Sequence, residues 1–291
     1  MRIRTTVAAV TGALALSAFA APASQAADSA SSFRADVVKL SQAHSDSGNS
    51  AFSAATTASD PDVTFSNLKV AKAIKVGTTN RVATTVTYTL THGADVDITS
   101  SDFANGPYLY KGSDTNLADA LLGDDPATCT ATSSTTASCK GDIDIYPDEG
   151  ELTSTQAGTW SAGAVAVRYS TEGVTQQNGL GTTLLQRYSK LTVNASPEPV
   201  KKGRTITVVG KLSRANWDDN KYHGYTNQPV KLQFRKAGTS TYTTLKTVTS
   251  NSTGNLTTTV TASTDGYFRY SFAGTSTTPA VSATGDFVDV Q

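Results

Sequence analysis

Apolar and polar side chains alternate through most of this chain, the period of strands with one face buried and the other in water. Val82, Thr84, Val86, Tyr88 and Leu90 form one such set, with Arg81, Ala83, Thr85, Thr87 and Thr89 between them. Val165, Val167 and Tyr169 alternate with Ala164, Ala166 and Arg168, and Trp160 precedes them closely enough to share their core. Phe65, Leu68 and Val70 suggest an opening strand. His92 to Asp125 reads instead as a long polar connection broken by Gly106-Pro107 and Gly112, with SSDFANGPYLYKG holding a short edge strand at most.

From Leu191 to Gln291 the rhythm is clearer. Ile206 and Val208 share one face, Val230, Leu232 and Phe234 point away from Lys231, Gln233 and Arg235, and Phe268, Tyr270 and Phe272 share a face. The turn NSTGN, in which Gly254 tolerates positive φ, precedes Leu256 and Val260. Short strands, turn chemistry at each connection and no helix-length apolar period predict an all-β chain of antiparallel β-sandwich architecture. Abundant Thr, Ser, Ala and Gly, with one Met among 291 residues, favour strands over helical bundles.

The first residues carry Arg2 and Arg4, an apolar run from Val7 to Ala21, and small residues at Ser24 and Ala26. This is the pattern of a signal peptide cleaved before Ala27, with a cut after Ala23 as the near alternative. The run is too short for a membrane span. Four segments follow: a signal peptide over 1–26, a flexible lead or short helix over 27–59 with a weak helical spacing of Phe33, Val37 and Leu40, a first sandwich over 60–190 and a second over 191–291. Charge divides along the same line. Residues 27–190 hold 11 Lys and Arg against 18 Asp and Glu, a net of −7, and residues 191–291 hold 11 against 6, a net of +5. Such asymmetry steers different partners to the two halves or draws the halves together.

Cys129 and Cys139 are the chain's two cysteines, and the small polar residues between them suit a hairpin. In an exported chain they predict a disulfide; a redox or metal pair needs neighbouring ligands that this spacing lacks. The segment KGDIDIYPDEGEL places Asp142, Asp144, Asp148, Glu149 and Glu151 close together, the kind of oxygen-rich cluster that holds calcium. Tyr146 and Pro147 break the EF-hand pattern, and the simpler account is a strand with Ile143 and Ile145 inward, Asp142 and Asp144 outward, and a turn after it.

The candidate ligand-binding segment is RANWDDNKYHGYTNQP, where Trp217, Tyr222 and Tyr225 stand among Arg214, Lys221 and His223. Aromatic faces and cations suit sugars and anionic cell-wall polymers, but the simpler account is an aromatic loop folded back to cover the open end of the core, because buried Trp and Tyr serve packing first. No GxSxG is present, and His44, His92 and His223 lie in no recognisable catalytic motif. The chain lacks the dense basic stripe of a nucleic-acid binder.

Residues 191–291 resemble the bacterial immunoglobulin-like modules of exported proteins from high-GC Gram-positive bacteria. The resemblance rests on Asn227-Gln228-Pro229-Val230, the Thr-rich hairpin around Ser252 to Gly254, and the aromatic strand ending in Phe-Ala-Gly-Thr. The first sandwich is similar only in outline, and its cysteine spacing does not match the inter-sheet bridge of antibody domains. The resemblance implies two immunoglobulin-like sandwiches in tandem and a spacer or adhesive role without a shared active site. The expectation is a monomeric, secreted, non-enzymatic protein without a cofactor, acting at the cell surface or outside the cell on a cell-wall polymer, carbohydrate or extracellular protein. A calcium-binding protein and a soluble inhibitor of an extracellular enzyme are the alternatives.

Overall fold

The computed structural model describes residues 32–47, 60–113 and 116–291, so the expected signal peptide and the remainder of the lead lie outside the described residues. The first half contains α1 (Phe33–Ser47), β1 (Val63–Lys69), β2 (Ala73–Val76), β3 (Val82–His92), β4 (Phe103–Tyr110), β5 (Leu121–Leu122), β6 (Thr128–Ala131), β7 (Thr136–Ile145), β8 (Gly158–Arg168) and β9 (Gly173–Arg187). One sheet runs β1-β3-β7-β6 and the other β2-β9-β8-β4-β5. All pairings are antiparallel except that of β2 with β9. Phe65, Val86, Tyr88, Leu90, Ile143 and Ile145 meet Ile74, Val76, Leu109, Trp160 and Leu185 between the sheets.

A third layer corrects the flexible reading of the lead in favour of the short helix that its spacing also allowed. Phe33, Val37 and Leu40 form one stripe of α1, and this stripe is buried on the outer face of the second sheet against Ala104, Tyr108, Tyr110, Val165, Val167 and Val174. Ser32 Oγ accepts from the Ala35 N–H at 3.3 Å, as a helix N-cap does. The helix also explains β8. Trp160, Ala162, Ala164 and Ala166 face the sandwich core while Val165 and Val167 face α1, so Trp160 and the two valines occupy opposite sides of the sheet. A strand covered on both faces has no reason to alternate with polar residues.

The second correction is β4, a full strand between β8 and β5. Its Gly106 and Pro107 act here as fitting elements. A Cβ on Gly106 would stand 2.5 Å from Phe33 Cε1, so glycine lets the helix aromatic lie on the sheet. The Asn105 carbonyl accepts from Ala127 N on the side away from β8, and Pro107, two residues on, directs its missing donor to that side. There β5 pairs only with Tyr108 and Leu109. Gly106→Ala is expected to cost about 1–3 kcal/mol by overpacking Phe33, read as a lower urea midpoint.

The second half contains β10 (Ser189–Leu191), β11 (Asn194–Ser196), β12 (Thr205–Asn216), β13 (Lys221–Gly224), β14 (Pro229–Lys236), β15 (Thr243–Thr249), β16 (Asn255–Thr261), β17 (Gly266–Phe272), β18 (Val281–Ser282) and β19 (Asp286–Val288). β12 pairs β11 and β16 along its first part and β10 and β13 along its second. Facing it, β14 lies between β15 and β17, and β17 carries β18 and β19. This is an immunoglobulin-like two-sheet sandwich. Ile206, Val208, Val230, Leu232, Phe268, Tyr270 and Phe272 fill it, and Tyr270 Oη donates to the Val208 carbonyl at 2.9 Å.

Cys129 and Cys139 are bonded, directly opposite each other across β6 and β7. Replacing both by Ala is expected to lower stability by up to about 3 kcal/mol on the chain-entropy model, measured as a shift in the urea midpoint of the oxidised chain.

Candidate functional site

The proposed recognition loop lies between the two sandwiches. β9 ends at Arg187 and β10 begins at Ser189, so a single residue separates them, and residues 32–291 form one compact unit. The second part of β12 carries Arg214 to Asn216 toward β9. Trp217, 2 % exposed, then enters the core of the first sandwich beside Val76 and Ala215. Its indole Nε1 donates to the Gly77 carbonyl at 3.0 Å, and its backbone N–H donates to Ser154 Oγ at 3.0 Å.

Further bonds close the junction. Arg187 Nε donates to the Ala215 carbonyl at 2.6 Å and its backbone N–H to the Thr277 carbonyl at 3.0 Å, and Gln186 Nε2 donates to the Thr275 carbonyl at 2.8 Å. Tyr188 N donates to the Val76 carbonyl and Ala215 N to the Tyr188 carbonyl, both at 2.8 Å. Burial and the neighbouring Arg214 charge pull the Arg187 guanidinium down to about 10.

The sequence-predicted ligand residues therefore separate into two groups. Trp217 offers no face to a sugar. Arg214 stacks on Tyr225 with its guanidinium 3.8 Å from the ring centre and donates to Thr278 Oγ1 at 3.1 Å; Lys190 covers Tyr222, its ammonium 3.6 Å from the ring centre. Lys221 and His223 stay exposed. His223 Nε2 lies 2.7 Å from Asp219 Oδ2, which holds that carboxyl below the usual range. No hydroxyl bonds the other ring nitrogen of His223 among the described residues. His92 Nδ1 lies 3.0 Å from the Gly93 carbonyl, and the side chain of His44 lies outside the described residues.

The acidic segment does not converge on one point. Asp142 accepts from Thr85 Oγ1 at 2.7 Å and faces outward. Asp144 is 2 % exposed, a departure from its expected outward position, and accepts from Arg81 at 2.5 Å and from Asp124 N at 3.0 Å. Glu151 pairs with Arg34 from α1 and accepts from Tyr146 N at 2.7 Å, while Asp148 and Glu149 are exposed in the turn. Arg34 is the organising residue that sequence reading missed. It also donates to the carbonyls of Leu122 and Asp144 at 2.6 Å each, and its Nε lies 3.3 Å from Asp124 Oδ1. Among the described residues no three His, Cys, Asp or Glu side chains are grouped to hold a metal ion. The carboxylates weighed as calcium ligands are divided instead among Thr85, Arg81 and Arg34, with Asp148 and Glu149 exposed.

No protein-family model matches this sequence, and no curated protein matches it. Among solved structures, a marsupial T cell receptor is 12% identical with a TM-score of 0.35, covering 79% of this chain and 73% of the receptor chain. The N-terminal eight Ig domains of Down Syndrome Cell Adhesion Molecule are 14% identical with a TM-score of 0.33, over 80% of this chain and 25% of that one. The D00-D0 domain of Intimin is 13% identical with a TM-score of 0.25, over 76% and 98%. Likeness this loose carries no argument about what the chain binds. The all-β sandwich assignment stands on the chain's own sheets.

Proposed function

We propose that this chain is an exported, monomeric, non-enzymatic binding or structural protein of the cell surface or extracellular space, built as a stiff pair of sandwiches. The observation that carries this reading is the junction: the aromatic and cationic residues that a recognition loop would present are used to join one sandwich to the next. A one-residue connection and a buried Trp suit a spacer that fixes the direction of its outer sandwich. The disulfide suits an oxidising compartment. The charged start and apolar run of residues 1–26 support export, and the resemblance of residues 191–291 to modules of exported high-GC Gram-positive proteins supports a surface role.

The test is mass spectrometry of the protein recovered from the medium and from the washed wall of producing cells. A chain beginning at Ala27 in either fraction is expected. An uncleaved chain confined to the cytosol would contradict the reading.

A further inference from the structure

The outward face of β14, β15, β17 and β19 carries an ordered stack of cations and rings. Tyr242 leaves the β14–β15 hairpin and lies across the sheet, its hydroxyl reaching Gly285, where an added Cβ would stand only 2.2 Å away. The Arg269 guanidinium lies 3.7 Å from the Tyr242 ring centre, and that of Arg235 lies 5.4 Å from the same ring and 4.0 Å from Tyr267. Phe287 continues the stack, 5.1 Å from Tyr267. Rings on their faces hold the guanidinium planes and leave N–H edges directed outward.

These arginines have no carboxylate partner among the described residues. Arg269 Nε donates to Gln233 Oε1 at 2.9 Å and Arg235 donates to the Thr239 carbonyl, both neutral acceptors. The nearby acids are turned to the backbone: Asp286 accepts from Ala195 N at 2.6 Å and Asp265 from Val290 N at 2.8 Å. An ordered guanidinium edge without a counter-charge is complementary to an oxyanion.

We infer that this face binds a linear polysaccharide carrying repeated anionic groups, with Arg235 and Arg269 contacting its oxyanions. Lys231 stands on the same face of β14, four residues from Arg235, so the cations span about 13 Å, the length of a polymer segment and not of one small anion. Hydroxyls flank the row at Thr244, Thr247, Ser271 and Ser282, matched to the hydroxyls of a glycan. A protein partner would call for an apolar centre, yet the large apolar side chains exposed on these strands, Leu245 on β15 and Phe287 on β19, stand on strands separated by β14 and β17. The inference deepens the reading of the chain as a surface binding protein by giving it a ligand class and a site.

The experiment measures binding of residues 27–291 to polygalacturonate, with neutral dextran and poly-L-glutamate in parallel, by isothermal titration at low and high salt. Polygalacturonate is expected to bind, more weakly at high salt, and dextran not to bind. Arg235→Gln with Arg269→Gln is expected to raise Kd at least about tenfold. Arg235→Lys with Arg269→Lys keeps the charge and loses the fork, so a several-fold loss is expected there too. Lys211→Gln, exposed on β12 of the opposite sheet, should leave Kd unchanged. An unchanged Kd in the double Gln variant overturns the inference, as does tighter binding of poly-L-glutamate, which would indicate an acidic protein. Self-association of the wild type abolished by the double Gln variant also overturns it, in favour of a second copy. Cytosolic retention would remove the export reading without altering these affinities, so the two failures are distinguishable.

Discussion

Trp217→Ala lowers the stability of the chain by about 3–5 kcal/mol, the cost of emptying a buried aromatic site. The indole is carried by the second sandwich but occupies the core of the first, so its removal opens a cavity where the halves meet. It also removes the donor to the Gly77 carbonyl. Against a typical total of about 5–15 kcal/mol this is a large fraction, and at about 2–4 °C per kcal/mol it is a fall in melting temperature of roughly 6–20 °C. Trp217→Phe keeps most of the apolar volume and loses the N–H, so it should fall between wild type and Ala. Urea unfolding followed by circular dichroism gives both numbers. A change within about 0.5 kcal/mol for Ala is the behaviour of an exposed ligand-stacking residue and would contradict the buried plug.

Alkaline solution should unfold the protein steeply above pH 10. Tyr88, Tyr108 and Tyr270 are buried, and burial raises each hydroxyl above its ordinary value, that of Tyr270 to about 12. Below pH 10 the hydroxyls are protonated in both states and add no pH dependence. Between pH 10 and 12 the unfolded chain has released these protons while the folded chain retains them, so stability falls as pH rises, by about 1.4 kcal/mol per pH unit for each tyrosine. Arg187, drawn down to about 10, acts in the opposite sense over the same window, since there the unfolded chain holds the extra proton. The three tyrosines outweigh the half-exposed Arg187, so the stability contributed by these groups falls as pH rises through this window. Urea midpoints taken across this range check it. A flat profile from pH 9.5 to 11.5 would contradict it, and Tyr270→Phe should reduce the slope by one tyrosine's share.

The parts of the fold that alternation revealed are those with one dry face and one wet face. In β3, β7, β14 and β17 each inward residue read from period two is buried or partly so, because water on the other face enforces the pattern. The sheet beneath α1 breaks that condition. β4 and β8 are dry on both sides, so FANGPYLY and GAVAV alternate weakly, and the signal available was the run of small apolar residues in β8. The helix was visible as Phe33, Val37 and Leu40, yet its role depended on Gly106, some seventy residues away in sequence, making room for Phe33.

The candidate site was legible in composition, and its reading as core cover agrees with the buried Trp217, but which core it covers was not legible. Trp217, Tyr225 and Arg214 are an aromatic and cationic group in any conformation, but only the register of β12 with β10 and β13 shows that the group faces the neighbouring sandwich. Asp144 was assigned to water by its parity, whereas Arg81 and the Asp124 backbone, both distant in sequence, cover it. The Arg235 and Arg269 face was present in the alternation of β14 and β17. What the pattern omitted is Tyr242, which lies in a turn and reaches the sheet only through the hairpin's geometry.

The two sandwiches should unfold and move as one body, because Trp217 and the one-residue connection join them. Differential scanning calorimetry of residues 27–291 tests it most directly. A single transition is expected, with a calorimetric enthalpy equal to its van't Hoff enthalpy, the mark of all-or-none unfolding. Two resolved transitions, one for each sandwich and neither moved by Trp217→Ala, would contradict it.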